Sequence, residues 1–133
     1  MLKNQGKNGQ RYLMDTNTVI EFLGNKLPQK SAVFLENIPT YISIITRIEV
    51  LGWLNATKEQ ITALQSYINT TSIYPLDEII ILKTIELRQQ HRIKTPDAII
   101  AATALVYNLT LLSRNLADFK NIEGLFVIDS HAL

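Results

Sequence analysis

Cysteine is absent from this 133-residue chain. Its absence removes disulfide scaffolds, thiolate zinc sites and thiol nucleophiles together, and it suits a reducing, cytoplasmic setting. Neither sign of charge is in excess, with 13 Lys and Arg against 12 Asp and Glu for a net charge of +1. A polycation that coats nucleic acid by bulk charge is therefore excluded, and any such affinity must come from a local patch. No apolar run approaches the roughly 18 residues of a membrane span; the longest, Ala98 to Tyr107, is broken by Thr103. Residues 1–10 are rich in Gly, Asn, Lys and Gln without a hydrophobic stretch. They read as a flexible leader rather than a secretory signal. What the chain does have is 47% hydrophobic and 19% charged residues, the balance of a globular protein with one core.

Residues 11–133 carry no repeat or long linker and read as one domain. Short apolar, β-branched runs predict strands at Tyr12–Met14, Tyr41–Ile45, Ser72–Tyr74, Thr110–Ser113 and Leu125–Ile128. Thr16-Asn17 reads as the start of a turn, and Thr18–Leu23 as a short helix stopped by Gly24-Asn25. A second helix is expected over Pro28–Asn37. Thr46 and Glu49 have capping-box spacing, which predicts a helix from Thr46 to about Ala56. Thr57 can cap another from Lys58 to Asn69, and Asp77 an amphipathic helix reaching His91. Thr95 then reads as an N-cap with Pro96 at the first helical position, opening a helix to Asn108. This alternation predicts an α/β protein, three-layered α/β/α, with a mainly parallel central sheet of four to five strands. Strand order is not readable from the pattern.

In an open parallel sheet, ligands bind beyond the carboxyl ends of the strands. Asp15 ends the first strand, Glu49 lies in the helix after the second, Asp97 follows Pro96, and Asp118 lies in the loop after the fourth. Each acid has a local explanation: Glu49 completes a capping box, Asp97 complements a helix dipole, and Asp118 sits in a polar loop. Asp15 can cap the next helix, although a carboxylate at the end of an apolar strand costs desolvation unless something binds it. The joint placement carries more information than any single acid. Two carboxylates roughly 5 Å apart, at an effective dielectric near 20, repel by about 3 kcal/mol. Three such pairs approach the stability of a whole domain, so the cluster must take up protons or a cation. Hard oxygen ligands without cysteine suit Mg²⁺ or Mn²⁺ rather than zinc.

Four segments also resemble a known family. They are Tyr12-Leu13-Met14-Asp15-Thr16-Asn17, Ile45-Thr46-Arg47-Ile48-Glu49-Val50-Leu51-Gly52, the stretch Lys94 to Ala104 around Thr95-Pro96-Asp97, and Leu111 to Phe119 around Ser113-Arg114-Asn115 and Asp118-Phe119. In order and spacing they resemble the PIN-domain ribonucleases, specifically the VapC-type toxins of bacterial toxin–antitoxin modules. The resemblance implies a PIN-like fold and a Mg²⁺- or Mn²⁺-dependent endoribonuclease. It implies Asp15, Glu49 and Asp97 as the acidic triad, with Glu49 bound directly or through water. The fourth acid varies in that family between the place of Asn115 and the place of Asp118; Asp118, held through water, is the favoured reading here. Asn17 and Ser113 are expected to orient Asp15 and metal-bound waters, with Asn115 nearby. A cognate VapB-type antitoxin and a homodimer are implied as well, and no membrane association.

Basic residues gather before Asp97, at Lys83, Arg88, His91, Arg92 and Lys94. A solvated helix face and an RNA-backbone track explain them equally well. Arg47 and Arg114 flank the acids and are candidates to hold a phosphate, pair with an acid or meet an antitoxin carboxylate. The helix from Thr46 is apolar nearly all round, which usually means burial on two sides. Alternatively one side, with Val19, Phe22 and Leu23, receives a partner helix. Tyr67, Tyr74 and Tyr107 read as core or rim aromatics. Two competing functions remain: a PIN-like module that binds RNA or protein without cutting, and a haloacid-dehalogenase-like phosphatase suggested by Asp15-Thr16-Asn17-Thr18. The latter needs an aspartate where Asn17 stands.

Overall fold

A computed structural model describes residues 10–133; the leader reading otherwise lies outside the described residues. Its elements run β1 (Tyr12–Met14), α1 (Thr16–Leu23), α2 (Gln29–Glu36), β2 (Thr40–Ser43), α3 (Ile44–Leu51), α4 (Lys58–Thr70), β3 (Ser72–Tyr74), α5 (Glu78–Gln90), α6 (Thr95–Tyr107), β4 (Thr110–Leu112), α7 (Leu116–Phe119) and β5 (Val127–Ile128). The five strands form one sheet in the order β3-β2-β1-β4-β5, and every pairing is parallel. The chain builds outward from β1 through β2 to β3, then returns to the other side of β1 for β4. That reversal makes the carboxyl end of β1 a topological switch point, where such sheets open a crevice.

Alternation along the strands explains the layers. In β1, Leu13 packs into one core with Leu111 and the buried face of α6, from Ala98 to Ala104. Tyr12 and Met14 point the other way, into a second core with Val19, Leu35, Ile42, Val50 and Leu64 of the remaining layer. Successive strand side chains face opposite sides, and helices cover both. The strands therefore read as unbroken apolar runs instead of alternating ones. Tyr74 stacks on Tyr107 with ring centroids 4.5 Å apart, as packing aromatics at the rim of the first core.

Local chemistry sets most helix starts. Thr57 Oγ1 accepts from the Gln60 amide at 3.1 Å, and Gln60 Oε1 accepts from the Thr57 amide at 2.8 Å, a complete capping box for α4. Thr57→Ala is expected to cost about 1 kcal/mol, read as a lower urea midpoint at unchanged m-value. Asp77 caps α5 as expected.

Elsewhere the structure corrects the sequence reading. Helix α3 starts at Ile44, with the Ser43 hydroxyl accepting from the Ile45 amide. The run Ile44-Ile45 is thus helical rather than strand, because Ser43 terminates β2 and caps the helix. Thr46 is not an N-cap, and α3 ends at Leu51, where Gly52 follows. Thr16 and Asn17 belong to α1, which Asp15 caps. The N-cap of α6 is Lys94, which places Asp97 third in the helix. Asp118 lies not in a loop but in the four-residue α7. Nor is α5 a simple amphipathic helix: Ile79, Leu82 and Ile85 are 61%, 57% and 49% exposed.

Candidate functional site

A crevice of about 170 Å³ lies over the carboxyl end of β1, lined by Asp15, Thr16, Asn17, Glu49, Asp97 and Asn115 above a floor of Ile100 and Phe119. Elements distant in sequence supply these groups: the turn after β1, α3, the first turn of α6, and the segment after β4.

Asp15 is 7% exposed and its Oδ1 accepts from the Thr18 amide at 2.8 Å. The acid that ends the strand thus also starts the helix, which offsets the cost of burying it. Its backbone amide donates to the Leu112 carbonyl, and so does the Thr18 hydroxyl, which ties the turn to β4. Glu49 projects from α3, and its Oε1 accepts from Thr16 Oγ1 at 2.5 Å. Asp97 sits in the first turn of α6, where the helix dipole favours negative charge. Its carboxyl is nonetheless pushed above the ordinary carboxylate range. Burial is the main cause, followed by the charges of Asp118, Glu49 and Asp15, with Lys94 acting in the opposite direction.

The remaining predicted residues divide. Asn17 and Asn115 line the crevice. Ser113 is buried, but its Oγ accepts from the Asn115 amide, so it shapes the turn after β4 rather than bonding Asp15. Asp15 is held by Thr18, not by Asn17 or Ser113. Asp118 is exposed and accepts from Asn115 Nδ2 at 2.6 Å. It acts on Asp97 through charge without lining the crevice. Both contested places for the fourth acid are thereby joined in one hydrogen bond. Arg47, Arg92 and Lys94 are exposed. Arg114 lies 3.8 Å from Asp129, half open to solvent. Of the other basic residues, Lys83 pairs with Glu86 at 2.6 Å and Arg88 donates to the Ile93 carbonyl. Thr16, the donor to Glu49, is the site residue that motif reading passed over. Its place directly after Asp15 was the only signal.

Among the described residues, no three His, Asp or Glu side chains stand together as a ready-made metal-ligand group. The acids share one crevice at distances where charge is felt, with Asp15 and Glu49 each giving an oxygen to a local donor. The donor set is hard oxygen throughout. Mg²⁺ keeps several waters and is commonly held by one or two carboxylates, so this arrangement fits a cation held partly through water.

A second feature is a groove of about 310 Å³ between α1, α4 and the segment after α3, with Ile20, Leu23, Trp53 and Leu64 as its apolar lining and Glu21 and Lys26 among its polar groups. Val19 and Val50 are fully buried and take no part in any open face, contrary to the partner-helix reading of Val19. Phe22 lines a different cavity. Of the apolar side chains from Ile48 to Leu54, Ile48 and Leu54 are 60% and 88% exposed, so burial on two sides does not account for all of them.

A family model described as PIN domain matches residues 12–125. No curated protein matches the chain. Among solved structures, the chain is similar to a toxin–antitoxin complex from Klebsiella pneumoniae, with 33% identity and a TM-score of 0.73 over 90% of this chain and 97% of that one. It is similar to FitAcB from Neisseria gonorrhoeae at 26% identity and a TM-score of 0.71, covering 92% and 99% of the two chains. VapBC-1 from nontypeable Haemophilus influenzae matches at 25% identity and a TM-score of 0.75, covering 91% and 98%.

Proposed function

The chain belongs to the PIN domain family, and from that premise we propose that it is a VapC-type toxin: a cytoplasmic Mg²⁺- or Mn²⁺-dependent endoribonuclease held inactive by a cognate antitoxin. The observation that carries this reading is the crevice, where Asp97 is destabilised as a carboxylate by burial and by three other acids. Such a site favours a cation over an anionic substrate until the charge is neutralised. Asp15 and Asp97 would hold the ion, with Glu49 and Asp118 acting directly or through water. A bound divalent cation supplies Lewis acidity and an activated water for phosphodiester hydrolysis. Asn115 holds Asp118, Ser113 shapes the turn that presents Asn115, and Asn17 lines the crevice beside Asp15. Arg47, Arg92 and Lys94, all exposed, and Arg114, half open to solvent beside Asp129, would offer positive charge to the RNA backbone. Lys94 carries a double role, since its charge also acts on Asp97. The phosphatase reading falls with the family match.

The test is cleavage of a mixed RNA pool in Mg²⁺ or Mn²⁺, with EDTA as control. Internal cuts that EDTA abolishes are expected. Cleavage that persists in EDTA sinks the proposal, and RNA binding without any cutting points to the non-cutting module.

Two surfaces serve partners in this reading. The apolar groove takes a segment of an antitoxin, a partner that the similar toxin–antitoxin complex supports, because its lining of Ile20, Leu23 and Trp53 offers apolar area to bury. The exposed stripe Ile79, Leu82 and Ile85 on α5 takes a second copy of the chain, since a large exposed apolar patch is uncommon on a monomer. In a two-fold interface each substitution acts twice. Leu82→Glu is therefore expected to convert the dimer to monomer by light scattering, and an unchanged mass would remove α5 from the interface.

A further inference from the structure

We propose that Thr16 is a positioning residue for Glu49, fixing its carboxylate at the crevice through a hydrogen bond that only a hydroxyl at this place can donate. The inference rests on the nuclease reading and concerns a residue to which that reading gives no role. Thr16 Oγ1 stands 2.5 Å from Glu49 Oε1, and the Thr16 and Thr46 hydroxyls are 3.3 Å apart. A hydroxyl carries one proton, and a carboxylate can only accept. Of its two possible acceptors, Glu49 at 2.5 Å is far closer than the fully buried Thr46 hydroxyl at 3.3 Å, so the Thr16 proton serves Glu49. Thr16 thus stands between a buried hydroxyl of the core and the carboxylate at the crevice.

The placement follows from local geometry. Thr46 and Glu49 are three residues apart in α3 and so lie on one helix face. Thr16 opens α1 directly after Asp15, so its hydroxyl couples the Asp15 turn to the helix that bears Glu49. Asp15, not Thr16, caps α1, so the helix has no separate need of the Thr16 hydroxyl. Its distance to Glu49 is that of a charge-assisted bond. Without it, three rotatable side-chain bonds let Glu49 leave the crevice. With it, Oε1 is committed to Thr16, and among the described residues Oε2 has no hydrogen-bond partner.

The test is Mn²⁺ binding to the full chain, measured by calorimetry or by the spin-resonance signal of the free ion, without RNA. Thr16→Val keeps the shape and loses the proton; Thr16→Ser keeps the proton. Valine is expected to weaken Mn²⁺ binding by about 10- to 100-fold, whereas serine stays near the parent. In a Glu49→Gln background, Thr16→Val should weaken binding no further, because the two residues act as one unit. Thermal unfolding in EDTA verifies that each variant is folded, and Thr16→Ala replaces valine if valine is not. Parent-like Mn²⁺ affinity in the valine variant overturns the proposal while leaving the nuclease reading intact. So does an equal loss with serine, or an additive loss in the double variant. A parent chain that binds no Mn²⁺ removes the nuclease reading and this inference with it.

Discussion

Asp97→Asn is expected to lower metal-dependent RNA cleavage by about 10³-fold, the scale on which a preorganised electrostatic group acts, while making the metal-free protein more stable at neutral pH. The two effects have one cause. Burial, then the charges of Asp118, Glu49 and Asp15, raise the Asp97 carboxyl above its ordinary value of 3.8, against the opposing charge of Lys94. A carboxyl raised in the folded state binds its proton more tightly there than in the unfolded chain, so its ionisation costs stability. That cost is absent below pH 3.8, grows as pH rises through the raised value and is constant above it. Asparagine cannot ionise, so the variant escapes the cost and is the more stable protein at pH 7. In EDTA, the Tm of Asp97→Asn should exceed that of the parent at pH 7, with the gap closing toward pH 4. Added Mn²⁺ should raise the parent Tm and leave the variant nearly unmoved. A variant less stable than the parent at every pH would show that Asp97 serves the fold, not a cation.

Trp53→Ala should weaken antitoxin binding by about 2–4 kcal/mol, or about 30- to 1,000-fold in Kd, without loss of RNA cleavage. Trp53 lines the groove with Ile20 and Leu23, and is absent from the lining of the crevice. Partly exposed aromatics in an apolar groove are the usual anchors of an interface, because they bury a large area with few rotatable bonds. Leu23→Asp, which sets an unpaired charge in the same groove, should act in the same direction. The measurements are calorimetry against the cognate antitoxin and inhibition of cleavage by it. A Trp53→Ala protein inhibited as well as the parent would place the antitoxin elsewhere.

Features that depend on near neighbours in the chain were legible before any coordinates. Strands β1 and β3 lie where their apolar runs end, and the capping residues Thr57 and Asp77 do what short side chains before a helix do. The pair Thr46 and Glu49 shows where such reasoning stops. Their spacing is that of a capping box, but the same spacing sets two side chains on one helix face. The helix begins earlier, at Ile44 with Ser43 as its cap, and both side chains lie against the Thr16 hydroxyl. Nothing within α3 distinguishes the two uses; the difference lies in α1, thirty residues away in the hydrogen bond that joins Thr16 to Thr46. Helix α7 escaped notice for a related reason. Four residues are too few to form a helix unaided, and its buried Phe119 owes its place to the core beneath.

Composition, caps and the run of strands and helices were enough to establish an α/β chain with its acids at element ends, because these are short-range consequences of side-chain shape and polarity. The order of the strands, the grouping of Asp15, Glu49, Asp97 and Asn115 around one crevice, and the exposure of Ile48, Leu54 and the α5 stripe came from packing. Each depends on which surface meets which across the folded chain, and a linear pattern carries no such distances.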